Sequence, residues 1–345
     1  MEKNEMPEMT PLPKVLKVLE EGCNLAANKV QLMLIPFLVD LLLLLGPKLR
    51  IAEYFGPAVE AAYSQMTASV SSRAVSQLQI SFELLKEMLS SVNLLGFIQT
   101  FPIGISVLNA SGGAETPLGA SPSVELTSIL QMIPVIAFMS VLGVLIGAFY
   151  FSFTAREVSG DKGKYSFAVF GKQLLNTVLL YIAMIILILM LAVPCSCLMT
   201  FAFMAVPILY QVFMIILIVL TCWLLIPLYY IPHGIFFSKL SFPEAVTRSF
   251  KMASWSSTLT VRFILFSIIL SLGLNMIWAI PEQSSWMILI SIFGHAYIST
   301  ALLAGSFILY RELDRWQKEN RAFLEWRKAN LRFKQIFKKE PVNYD

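Results

Sequence analysis

The chain has 345 residues, of which 57% are hydrophobic and only 14% charged, and its mean hydropathy is +0.71. A water-soluble protein of this length needs far more charge on its surface, so the excess apolar residues must face lipid. The formal net charge is +4, and the four cysteines, three of them (Cys195, Cys197, Cys222) in apolar stretches, do not suggest a disulfide framework.

Residues 1–29 form a polar segment that mixes five acids with four lysines. A cleavable signal peptide begins basic and turns apolar early, so the first span is expected to remain as a signal anchor. A membrane-crossing helix needs about 20 apolar residues. The first segment to approach this is 30–46, short and closed by Gly46-Pro47-Lys48, with Asp40 in its middle.

Between the first and second spans, 47–125 is expected outside the cytoplasm. From Val59, apolar residues recur at Tyr63, Met66, Val70, Val75, Leu78, Phe82, Leu85, Leu89 and Val92. That three-and-four spacing predicts one long amphipathic helix, lying on the membrane or packed on other spans, with docking of a partner as the sharper alternative. The charge-free stretch 92–108 decides between six spans with a cytoplasmic N-terminus and seven with an external one. Asn93, Gln99, Thr100, Pro102 and Gly104 make it a poor lipid-facing helix, which favours six spans and a re-entrant or interfacial 92–108. Small polar residues over 109–123 predict an exposed loop.

A five-helix membrane domain follows over 126–310, with spans at about 126–153, 174–193, 199–231, 259–280 and 286–310. The third and fourth are expected to meet at the tight turn Pro194-Cys195-Ser196-Cys197. A lone C-x-C in an apolar turn is weak evidence for a soft metal. Loops 154–172 and 232–258 and the tail from Arg311 carry lysine and arginine, whereas 194–198 and 281–285 carry none. The alternation places the basic segments, and the C-terminus, in the cytoplasm of a prokaryotic plasma-membrane protein.

In the elbow before the fifth span, Ser241 and Glu244 have capping-box spacing. Arg248 and Lys251 are then candidate lipid-headgroup contacts. The C-terminal segment 311–345 is basic, with ten cations against four acids over 311–339. Trp316, Phe323, Trp326, Phe333 and Phe337 share one helical face there. Such a helix suits an anionic lipid surface, with Arg315, Lys318, Arg321, Arg327 and Lys328 as further headgroup contacts, each adding about 1 kcal/mol. The alternative is a helical continuation of the sixth span. No base-reading motif accompanies the charge, so nucleic acid is not an expected partner.

Ionisable groups inside spans are the strongest functional signal, because each is expensive in lipid. Asp40 costs roughly 2.5–3.5 kcal/mol to insert and its apolar neighbours each return about 0.3–0.6, so it should face the bundle interior. His295 lies midway through the sixth span, Arg262 enters the fifth, and Asn275 adds a further polar group. These four form the candidate intramembrane site. One reading is interhelical hydrogen bonding, helped by small residues such as Gly143, Gly147, Gly294 and Gly305. The other is a proton or ion relay through Asp40 and His295. With two histidines and no phosphate-binding loop, catalytic, metal and cofactor sites are not expected.

Residues 126–312 resemble a family of uncharacterised bacterial and archaeal membrane proteins that includes the membrane domain attached to some glycerophosphoryl diester phosphodiesterases. The resemblance rests on the basic loop Thr154-Ala155-Arg156 through Gly160-Asp161-Lys162-Gly163-Lys164-Tyr165-Ser166. It rests also on the elbow from Phe237 to Phe250 with Glu244, Ala245 and Ser249, and on the closing Tyr310-Arg311-Glu312-Leu313. It implies a bundle of about six helices without enzyme activity. The sequence thus predicts an all-α integral membrane bundle, with an external amphipathic helix and a basic cytoplasmic C-terminal helix. The leading expectation is a scaffold or lipid-interacting component of a membrane complex, with lipids, other membrane proteins or its own copies as partners. The alternative is a small-solute or proton-coupled transporter using Asp40 and His295.

Overall fold

Apolar helices dominate the computed structural model, which describes residues 10–68, 72–99, 115–161, 163, 166–205, 207–321, 323 and 325. Among them, five helices are long and apolar enough to cross a membrane, or six if one bent pair counts as a span. The chain is an all-α, multi-pass membrane bundle, with only four strands of two or three residues each in the described part.

The N-terminal segment is more ordered than its charges suggest. Helix α1, Val15–Asn28, buries Val15, Val18, Gly22 and Ala26, a stripe at helical spacing. A 3-10 turn, Val30–Leu32, leads into α2, Leu34–Leu45, and the two halves meet at 90°. The expected simple first span at 30–46 behind a polar tail is therefore corrected to a broken helix. Its first half packs along the C-terminal half of the last span, α10 (Ile288–Glu319).

The single long helix expected over 59–92 is two helices, α3 (Ala52–Ala68) and α4 (Ser72–Ser91). They pack as an antiparallel hairpin through Lys86 and Glu60, and through stacked Tyr63 and Phe82 with ring centroids 4.2 Å apart. Gly/Pro-free apolar spacing cannot distinguish a continuous helix from two helices sharing one register. A 3-10 helix, Leu94–Gln99, follows and packs on α5 with Leu94, Leu95 and Ile98 buried. The rest of the expected re-entrant stretch, 100–108, lies outside the described residues, as does 109–114. Strand β1 (Lys48–Arg50) pairs in parallel with β4 (Ser123–Glu125), while β2 (Glu115–Thr116) and β3 (Gly119–Ala120) form a minimal hairpin.

Helix α5, Ile129–Ser159, starts at an N-cap: the Ser128 hydroxyl accepts from Leu130 N–H at 3.2 Å. It ends at Gly160, whose φ of 68° is the left-handed cap geometry glycine adopts most cheaply. Helix α6, Phe167–Ala205, runs straight through the expected turn at 194–198, and Pro194 sits inside it. In lipid every backbone group needs an internal partner, so a proline is better tolerated than an open turn. The next described helix is α7, Pro207–Leu228. That neighbourhood also lacks lysine and arginine, so the charge alternation is unchanged.

A short helix, α8 (Ile231–Phe236), is wholly buried and leads into α9, Phe242–Trp278. The elbow and the fifth span are one helix with a break at Ser256, where φ and ψ are −119° and 15°. The expected capping box is present: Glu244 accepts from the Ser241 N–H at 2.9 Å. Ser241→Ala is expected to destabilise the protein by about 1 kcal/mol, read as a shifted unfolding midpoint in detergent. The tail begins as a continuation of α10. The apolar stretch of α10 is 50% buried within the chain against 6% for 167–198, so α10 is the hub and α6 presents its flank to lipid.

Candidate functional site

Asp40 and His295 meet. Along α2 the buried positions are Pro36, Val39, Asp40, Leu43 and Leu44, one helical face that turns the carboxyl toward α10. His295 Nδ1 lies 2.7 Å from Asp40 Oδ2, and both residues are buried. Gln99, the last residue of the 3-10 helix, donates from Nε2 to Asp40 Oδ1 at 3.0 Å. Ser299 Oγ lies 3.2 Å from His295 Nε2, one helical turn further along α10. Around the pair, Val39, Leu43, Leu44, Leu95, Ile98, Ile288 and Ile292 form an apolar cluster.

The chemistry of this chain follows from its donors. Nδ1 faces a carboxyl oxygen, so it carries the proton when Asp40 is ionised, and Nε2 can then accept from the Ser299 hydroxyl. Both carboxyl oxygens and both ring nitrogens are thus engaged by groups of the chain itself. Such a set ties α2 and the 3-10 helix to α10 without an unpaired polar atom, and the same atoms are a path along which a proton can pass. Arg262 and Asn275, expected at this site, are not brought to it. Arg262 is exposed on α9, Asn275 is half-buried on it, and among the described residues neither bonds to the pair. The site's other members were polar residues of the sequence without a charge to mark them. In the sequence Gln99 stands out only as a reason against a lipid-facing helix, and nothing there marks Ser299.

His233 is a second buried histidine. Its Nε2 lies 2.9 Å from Ser306 Oγ and its Nδ1 3.2 Å from the Tyr229 carbonyl, and it packs on Phe307 and Tyr310. It stands in a layer of buried tyrosines: Tyr150 bonds Thr300, Tyr230 bonds Thr260 and Tyr310 bonds Ser238. These bonds hold α5, α8, α9 and α10 together and form no open site.

The basic segments converge at one end of the bundle. Lys239 of the elbow reaches Asp161 at 3.3 Å, Arg311 donates to the Val158 carbonyl and pairs with Glu21, and Lys29 pairs with Glu157. Asp161, between α5 and α6, has its carboxyl held below the usual range by the Gly163 N–H and then by Lys239. Several expected headgroup contacts have carboxylate partners here. Arg248 pairs with Asp314 and donates to the Tyr310 hydroxyl, Lys318 also pairs with Asp314, Arg315 with Glu312 and Arg321 with Glu325. Lys251 is exposed and makes no ion pair among the described residues. Arg327 and Lys328 lie outside those residues, as do Trp326, Phe333 and Phe337. Trp316 does not belong to a lipid-facing stripe: it is buried, and its Nε1–H donates to the Thr10 carbonyl at 2.8 Å.

Among the described residues no group of three or more His, Cys, Asp or Glu is placed to hold a metal ion. Comparison of the chain with protein-family models, curated proteins and solved structures finds no match.

Proposed function

We propose that this multi-pass protein is a non-enzymatic component of a prokaryotic plasma membrane, a scaffold or lipid-interacting bundle whose basic end and C-terminus face the cytoplasm. The observation that carries the reading is the closure of the intramembrane Asp40–His295 centre. Asp40 and His295 are each satisfied by protein groups inside an apolar cluster, an arrangement that serves helix packing without a substrate. Gathering of the basic loops at one end supports the orientation, since cytoplasmic loops concentrate lysine and arginine.

A second reading, proton-coupled transport, has one observation in its favour. Gln99 bonds Asp40 on one side and on the other lines an open recess with Leu85, Met88, Asn93 and Gly96. The two readings separate in proteoliposomes loaded with a pH-sensitive dye. We expect wild type and Asp40→Asn to show the same leak to protons under an imposed gradient. A flux present in wild type and abolished in Asp40→Asn would overturn the scaffold in favour of the relay. Purification in mild detergent is expected to retain lipid or a protein partner at fixed stoichiometry.

A further inference from the structure

At the basic end, a cavity of about 70 Å³ lies where α5 ends and α6 begins, bordered by Ser152, Arg156, Asp161, Ser166, Gln173 and Lys239. It is far smaller than the several hundred Å³ of a pocket for a drug-sized molecule, so it admits only a small polar group. We propose that this cavity binds a phosphate group, supplied by an anionic lipid headgroup or as the free anion. The proposal deepens the lipid-interacting reading and rests on it for the lipid source.

Three features make the cavity an anion site. Among the described residues, Arg156 and Lys239 bring two cations to it from different segments, against the carboxylate of Asp161. The first turn of α6 borders it, which places the positive end of a 39-residue helix beside the same space. The third feature is conformational. Lys239 has φ of 56°, the only positive value at a non-glycine residue among those described, and closes α8 through a Leu240 N–H to Gly234 carbonyl bond of 3.1 Å. Glycine would adopt that cap geometry more cheaply, so the strain here accompanies a side chain with work beyond capping. That side chain reaches the Asp161 carboxylate at 3.3 Å, and Arg156 Nε donates to the Asp161 carbonyl at 3.1 Å.

Asp161 is accordingly the internal competitor. Its carboxylate presents an anion to Lys239 on an exposed loop, where an ion pair is weak. A phosphate offers more charge and more acceptor oxygens to the same donors. Ser152 and Gln173 are already bonded to one another at 2.9 Å, and Gln173 to the Phe236 carbonyl at 3.0 Å. They fix the floor, so selectivity lies with Arg156, Lys239 and Asp161.

The test uses the full chain in nanodiscs of phosphatidylcholine doped with phosphatidylglycerol, with bound lipid counted by native mass spectrometry in 0.5 M salt, where nonspecific surface attraction is screened. Lys239→Gly keeps the cap and is expected to unfold like wild type. It should retain phosphatidylglycerol about tenfold more weakly, the loss of one charge-assisted bond, and Arg156→Gln should do the same. Asp161→Asn removes the competitor and should bind more tightly, while Lys17→Gln, on the exposed face of α1 and away from the cavity, should match wild type. A parallel arm offers labelled inorganic phosphate to protein in pure phosphatidylcholine. The same order of variants in that arm assigns the free anion. If wild type and all variants retain phosphatidylglycerol equally, the cavity is not a site although the lipid-interacting reading stands. If wild type binds phosphate but prefers no lipid, the cavity stands and that reading falls. No enrichment in either arm overturns the proposal.

Discussion

His295→Leu is expected to destabilise the folded protein by about 3–5 kcal/mol, and Asp40→Leu combined with it to recover most of that loss. Removing one partner from a buried, mutually bonded polar pair strands the other, whereas replacing both with apolar side chains of similar volume is often neutral or better. Here the stranded group would be a carboxyl inside the Val39, Leu43, Ile288 and Ile292 cluster with only Gln99 left to answer it. The cost of that exposure outweighs the modest worth of a neutral hydrogen bond between membrane helices, about 0.6 kcal/mol on average. Asp40→Asn keeps an acceptor for one neighbour and should lie between wild type and His295→Leu. Reversible unfolding of wild type, Asp40→Leu, His295→Leu and the double variant in mixed micelles closes a double-mutant cycle. A coupling energy below about 0.5 kcal/mol would show that the two side chains do not depend on each other and would remove the pair as the tie between α2 and α10.

The cycle also bears on what the sequence could reveal. Asp40 and His295 are conspicuous because an ionisable residue in an apolar run must have a reason to be there. Their pairing is not, since 255 residues separate them and nothing local records which faces of α2 and α10 meet. Arg262 and Asn275 were equally conspicuous and are not at the site, because α9 turns them to other faces. Composition and charge alternation point to about six spans with the basic segments at one end, against the five or six held by the described residues. The places where expectation and structure part are places where polar signals compete with apolar ones. The stripe Val15, Val18, Gly22 and Ala26 was masked by Lys17, Glu20 and Glu21. The Pro194 to Cys197 sequence looked like a turn, although the backbone in lipid has more to gain by staying helical through Ala205.

Gly22 is the position at which the smallest change should have the largest effect on the N-terminal segment. A β-carbon there would stand 2.4 Å from the Ala301 carbonyl oxygen, 2.8 Å from the Gly305 nitrogen and 3.0 Å from its Cα. All three are backbone atoms of α10 and cannot swing aside, so α1 itself would have to lift. Lifting it exposes Val15 and Val18, worth about 1.5–3 kcal/mol each when fully buried. It also strains the Trp316 to Thr10 bond and the Arg311 to Glu21 ion pair. Gly22→Ala is therefore expected to lose about 3 kcal/mol and to make the neighbouring, half-buried Cys23 react faster with a maleimide. Gly305→Ala is the control from the opposite helix: its new methyl would meet Phe263 Cζ and the Val18 carbonyl at 3.5 Å, ordinary contact, and should cost under about 1 kcal/mol. Gly171→Ala, with nothing within 4 Å, should stabilise α6 by about 0.5–1 kcal/mol. Equal effects of Gly22→Ala and Gly305→Ala on stability and on Cys23 labelling would mean that α1 is not held against α10 by backbone approach. The N-terminal segment would then be a tether, and α10 would lose its place as the helix on which both ends of the chain are built.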